Sequence, residues 1–292
     1  MSDSRRSNLV PRGVTAIPSA ECADRDDELL SLAYPDGLPD GARGLFRDDS
    51  AIRRISGENA MLFGGGCALL LEIAHPLVAA GVARHSNFRS EPLVRLQRTL
   101  EAMNEIVFGD LDVALAAARR VWRVHAQVRG RLSLRAGPFG PESTYDGRDP
   151  ELQRWVWASL LWTSLRVLER LLEPVSAAEK QAFYHDHRVV ALVLRVTPGL
   201  VPSDFPAFLR YFDDVVSGGT LTVTDEARSI AQFVLDPPVS ASGGRLLRAM
   251  TTALLPPPIR MAFGLSWEEA DAARLDSLCG AVRGLRSRGP LS

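Results

Sequence analysis

LFGGGCALLLEIAHPLVAAGV, running from Leu62 to Val82, is the longest apolar stretch in the chain. Its length raises the question of a membrane span, which needs about 20 mostly apolar residues. Glu72 and His75 stand near its middle and Pro76 follows. Charge at the centre of a span costs roughly 2.5–3.5 kcal/mol, and proline cannot donate the next helical hydrogen bond. The stretch therefore predicts a buried core helix from Cys67 to Ala74, interrupted or restarted at Pro76, and no transmembrane segment.

Helical signals continue on both sides. Asp48, Asp49 and Ser50 offer N-caps for a helix over 51–63, with Gly64, Gly65 and Gly66 after it. Pro92 fits the first turn of a helix reaching Phe108, and Gly109 fits its end. A further helix is expected from Asp112 to Arg129, closed by Gly130, followed by loop from Leu134 to Asp149. Asp149-Pro150 opens a helix to Leu172. Ser176 and Glu179 form a capping box for a helix to about Arg195, and Ser266 with Glu269 repeats that pattern before a helix to Leu285. Shorter helices are expected over 203–216, 224–235 and 243–255, with Pro237-Pro238 and Pro256-Pro257-Pro258 as breaks. Alternating strand patterns are nearly absent, and Leu221 to Thr224 is the best candidate. The expectation is an all-α fold: one large helical domain over 46–292, preceded by a mostly irregular N-terminal arm over 1–45.

Composition bounds the function. The 292 residues carry 34 basic and 35 acidic side chains, so no basic field marks the chain as a nucleic-acid binder. Hydrophobic residues make up 46%, enough for a sizeable core. Lys180 is the single lysine, so nearly all the basic charge is guanidinium, which stays protonated. Cys22, Cys67 and Cys279 are far apart and odd in number, which argues against a disulfide framework or a zinc knuckle. The Arg5-Arg6 pair lacks the apolar stretch of a twin-arginine signal, so the expected location is cytoplasmic.

Few residues can carry chemistry. Glu72 and His75, at i and i+3, have the spacing of a di-iron ligand pair. That site needs a second such pair, which the sequence lacks, and the plain reading is a polar kink beside Pro76. His185 and His187 lie about 200° apart on a helix, cannot share an ion, and read as surface or cap residues. Arg95, Arg98 and Thr99 put two guanidiniums and a hydroxyl on one helical face. His125 lies among Val121, Val124 and Val128 at helical spacing. It is either a hydrogen-bonded core histidine or a neutral imidazole available as an axial metal ligand.

Several motifs in order resemble one family. They are Gly65 to Phe88, Glu91 to Thr99, Phe108-Gly109, His125 with Val128 and Gly130, Tyr145 with Asp149 to Val156, and Leu254 to Arg260. Together they resemble the rubber-oxygenase/MpaB family over roughly 50–267. The resemblance implies an all-α, haem b-dependent oxygenase that cleaves double bonds of an apolar, prenyl-type substrate with dioxygen. It implies His125 as the proximal ligand of the haem iron, with His75 as the alternative, and Arg95, Arg98 and Thr99 on the distal side. Where the rubber enzymes carry lysine, this chain has Arg98, which cannot readily ligate iron. The acid those enzymes carry on the distal side has no counterpart in the corresponding stretch, Leu77 to Ala83. The expected partners are dioxygen and a small apolar substrate in a pocket to which the five tryptophans are suited. A non-catalytic haem-binding or haem-sensing protein, or a haem-free helical scaffold, keeps the same motifs.

Overall fold

A computed structural model describes residues 19–86, 92–172, 175–236 and 241–286. Among them the elements are α1 (Ser19–Ala33), α2 (Ala51–Ser56), α3 (Gly65–Ala74), α4 (Pro76–His85), α5 (Pro92–Phe108), α6 (Leu111–His125), β1 (Arg129–Arg131), β2 (Thr144–Asp146) and α7 (Pro150–Val167). There follow α8 (Ala177–Val193), α9 (Phe205–Ser217), α10 (Asp225–Leu235), α11 (Ala241–Leu254), α12 (Pro257–Ala262) and α13 (Glu269–Arg286). The fold is all-α.

Helix α3 is the hub. Cys67, Leu70, Leu71, Ile73 and Ala74 are fully buried, and α4, α7, α10 and α11 pack around them. The chain turns by 110° between α3 and α4 at His75-Pro76, and no single described helix is long and apolar enough to cross a membrane. The expected helix over 51–63 splits into α2 and a 3₁₀ turn, Asn59–Gly64, that runs directly into α3. The three glycines therefore do not terminate a helix. A Cβ on Gly64 would sit 2.8 Å from Thr163 Cγ2, and one on Gly66 would collide with Thr251 Oγ1. The missing side chains let α7 and α11 approach the backbone of α3.

Further expectations differ from the structure. The helix predicted to run to Arg129 stops at His125, and residues 129–131 pair antiparallel with 144–146, Gly130 opposite Tyr145. The Tyr145 ring lies against Gly130, where a Cβ would collide with it. Gly130 thus admits a cross-strand aromatic and caps nothing. The candidate strand at Leu221–Thr224 is irregular, held to α3 by Thr222 N–H donating to the Ala74 carbonyl at 2.9 Å. The triple proline opens the short helix α12, since proline suits a first helical turn. The expected break at Pro237-Pro238 lies outside the described residues. The capping box at Ser176 forms, with Glu179 N–H donating to Ser176 Oγ at 3.2 Å and Ser176 N–H to Glu179 Oε2 at 3.1 Å.

The segment expected to be irregular carries α1, docked on the domain. Asp26 is only 5% exposed. Its carboxylate accepts from Arg119 Nε at 2.5 Å and from Arg195 Nη2 at 3.1 Å, tying α1 to α6 and to the end of α8. Arg195 has a positive φ of 68°. A non-glycine residue persists there only where its surroundings over-determine it, and here the buried ion pair and the Trp122 ring, 5.1 Å away, do so. A second buried layer joins α7 to α9: Trp162 stacks on Phe212 at 4.2 Å, and Trp157 meets Phe208 edge-on at 5.8 Å.

Candidate active site

Helices α5 and α6 form an antiparallel hairpin that reverses at Gly109 and Asp110. Gly109 N–H closes α5 on the Glu105 carbonyl at 3.0 Å, and Arg120 pairs with Glu105 across the hairpin at 2.5 Å. Because the chain doubles back, the first turns of α5, with Arg95, Arg98 and Thr99, lie alongside the last turn of α6, with His125. Arg98 and Thr99 are exposed, while the side chain of Arg95 lies outside the described residues.

His125 is half-buried at the last position of α6. Burial pushes its pKa below the ordinary histidine value, so the ring is neutral and keeps a lone pair for a ligand. Gly147 packs under this end of the helix. A Cβ there would sit 2.6 Å from the His125 carbonyl oxygen, and Gly147 N–H donates to Val128 O at 2.7 Å. One turn earlier, Trp122 lies within cation–π range of Arg148 and Arg195, at 4.7 and 5.1 Å. The β1–β2 ribbon thus fixes where α6 ends and where its last histidine sits.

Beside the hairpin lies a cavity of about 670 Å³ bounded by α3, α5, α7, α8, α10 and α11. Leu69, Leu100, Met103, Val107, Ile230 and Phe233 supply much of its apolar wall. Its polar lining includes Glu72, Thr99, Thr163 and His187. Thr99 is the one sequence-predicted site residue in this wall among the described residues; Arg98 and His125 are not part of it. Neither is any of the tryptophans expected there, since Trp155, Trp157 and Trp162 build the aromatic layer toward α9 instead.

His187 overturns its surface reading. It is 3% exposed, and burial pushes its pKa down to about 3. Its backbone carbonyl accepts from Trp157 Nε1 at 3.0 Å, but its Nδ1 is buried without a partner. His185 is exposed as expected. The 200° between the two contained the answer: if one points outward, the other points into the core.

Glu72 and His75 part company. Glu72 faces the cavity, whereas His75 occupies the bend as N-cap of α4, its Nδ1 accepting from Leu77 N–H at 3.3 Å and its ring 5.2 Å from Phe139. Burial lowers its pKa to about 4. A neutral ring whose Nδ1 accepts carries its proton on Nε2, which leaves no free lone pair for iron. This bears out the polar kink and argues against His75 as a haem ligand. Among the described residues, no group of three or more His, Cys, Asp or Glu side chains is arranged to hold a metal ion.

The family model for the catalytic domain of the ER-bound oxygenase mpaB/B′ and rubber oxygenase matches residues 52–284. Two mycobacterial proteins, uncharacterized protein Mb2261 of Mycobacterium bovis and uncharacterized protein Rv2237 of Mycobacterium tuberculosis, are each 28% identical to this chain over 232 residues, covering 74% of it and 84% of their own length. No solved structure matches the chain. The match runs from α2 into α13 and takes in both the hairpin and the cavity wall. This chain belongs to the MpaB/rubber-oxygenase catalytic-domain family.

Proposed function

We propose that this chain is a haem b-dependent oxygenase that acts with dioxygen on a small apolar substrate held in the cavity. The observation that carries the reading is the position of Thr99. It stands in the first half of α5, the helix that runs antiparallel to the His125-bearing helix α6, and in the wall of the apolar cavity. The donor chemistry at the hairpin end suits haem, with a neutral imidazole for iron and guanidiniums for carboxylates.

In this reading His125 holds the iron from the C-terminal end of α6. Arg95 and Arg98 bind anionic groups, the propionate carboxylates foremost, through charge-assisted hydrogen bonds. When bound, haem b supplies the activation of dioxygen. Thr99 donates a hydrogen bond to an oxygen atom at the cavity wall, and the apolar lining keeps bulk water from the reacting groups. The guanidinium of Arg98 carries permanent charge without a switchable ligand, unlike a lysine.

The test is an absorption spectrum of the purified protein, followed by dioxygen uptake with an olefin. A Soret band and olefin-dependent uptake are expected. A band with no uptake for any olefin leaves a haem-binding or haem-sensing protein. A protein reconstituted with haem that develops no Soret band overturns the reading.

A further inference from the structure

His75, His85 and His187 separate into two kinds. His75 accepts from Leu77 N–H, and His85 Nε2 lies 3.1 Å from the Arg129 carbonyl, so both are held by backbone. His187 lines the cavity with Nδ1 unpartnered. Among the described residues of the cavity wall, it is the one whose side chain has a buried polar atom without a hydrogen bond. Buried polar groups are nearly always satisfied, so an imidazole that lines a cavity without a hydrogen bond from its ring to the protein points to a ligand as the missing partner.

The rest of the wall narrows the ligand. About 670 Å³ is the size of a small-molecule site, and apolar side chains dominate the lining. Among the described residues no Arg or Lys side chain lines it, so a carboxylate or phosphate head group would find no cationic partner there. A neutral imidazole offers one N–H and one lone pair, the complement of a hydroxyl group, which also donates and accepts.

We propose that the cavity binds an uncharged aliphatic alcohol and that His187 hydrogen-bonds its hydroxyl group, making His187 a specificity-determining residue of the substrate site. This rests on the cavity being the substrate chamber, but not on haem being present.

The experiment is isothermal titration of the full-length protein as purified with 1-decanol, decane and decanoate. Wild type should bind decanol about threefold to tenfold more tightly than decane, the worth of one neutral hydrogen bond, and decanoate more weakly than decanol. His187→Leu should lose the preference for decanol over decane while still binding decane, and His187→Gln should retain it. Thermal melts confirm that the variants fold. Equal binding of decanol and decane to wild type, no binding of either, or a preference that survives in His187→Leu overturns the proposal. The Soret region of the same samples separates this from the haem reading. A decanol preference without haem on reconstitution sinks only the latter. A Soret band lost in His187→Leu and kept in His125→Ala assigns the imidazole to iron and overturns both.

Discussion

The α5–α6 hairpin, which reaches the cavity through α5, and the wall built by α3, α7 and α8 are made on different terms. The hairpin is local. Its two helices are consecutive, its turn is Gly109-Asp110, and its candidate residues sit within thirty-one positions of chain, Arg95 to His125. The opposite wall draws Glu72, Thr163 and His187 from three helices far apart in sequence. The described candidate side chains on the hairpin, Arg98, Thr99 and His125, are half-buried or exposed, whereas His187 is sealed in the core. The residues proposed to meet a cofactor stand on the local, accessible side. The side assembled from distant segments shapes the cavity.

Substitutions can break this division or sharpen it. The largest effect is expected on the hairpin: His125→Ala should abolish haem retention, because an axial imidazole is the main bond between iron and protein in such sites. The Soret band of protein purified with added haem checks this, and a band of wild-type intensity would remove His125 from the role.

Next comes the tie between the two sides. Asp26 joins Arg119 of α6 to Arg195 beyond α8. Asp26→Ala leaves the 4%-exposed Arg195 side chain without its carboxylate and should destabilise by about 3–5 kcal/mol, the usual penalty for stranding a buried charge. Urea unfolding measures it, and a loss below 1 kcal/mol would mean that α1 is not held by this pair.

Thr99→Ala, on the hairpin face of the cavity, should slow turnover by about 10²–10³ while leaving the Soret band in place, as for removal of a fixed donor near developing charge. An unchanged rate of dioxygen uptake with a working substrate would show that this face does not take part.

The smallest effect, taken per pH unit, is the acid response of the core side. His75 and His187 have folded pKa values near 4 and 3, below the unfolded value of about 6.5. As pH falls, the unfolded chain takes up protons first. The contribution of these rings is therefore complete above about pH 6.5 and is lost toward their folded values, by about 1.4 kcal/mol per pH unit for each ring. Melting temperature should fall through this window, and His187→Leu should reduce the slope where Thr99→Ala leaves it alone.

How far the sequence could be read follows the same division. The capping box at Ser176 and the proline starts of α4, α5 and α7 are local patterns, and they read correctly. Gly130 reads as a helix stop until Tyr145 is seen lying on it. The glycines at 64–66 read as a break until Thr163 and Thr251 are seen crossing them. His187 carries a signal in its spacing from His185, but that spacing does not say which of the two faces inward.

The sequence by itself determined the all-α class, most helix starts and the two helices of the hairpin, because capping, proline geometry and helical periodicity act over a few residues. Only the tertiary structure decided that α1 is docked through Asp26, that His75 is a backbone cap and that His187 and Glu72 share a cavity with Thr99. Those outcomes depend on which distant side chain fills a given space or satisfies a given buried atom, and packing settles that between segments whose separation in the chain carries no trace of it.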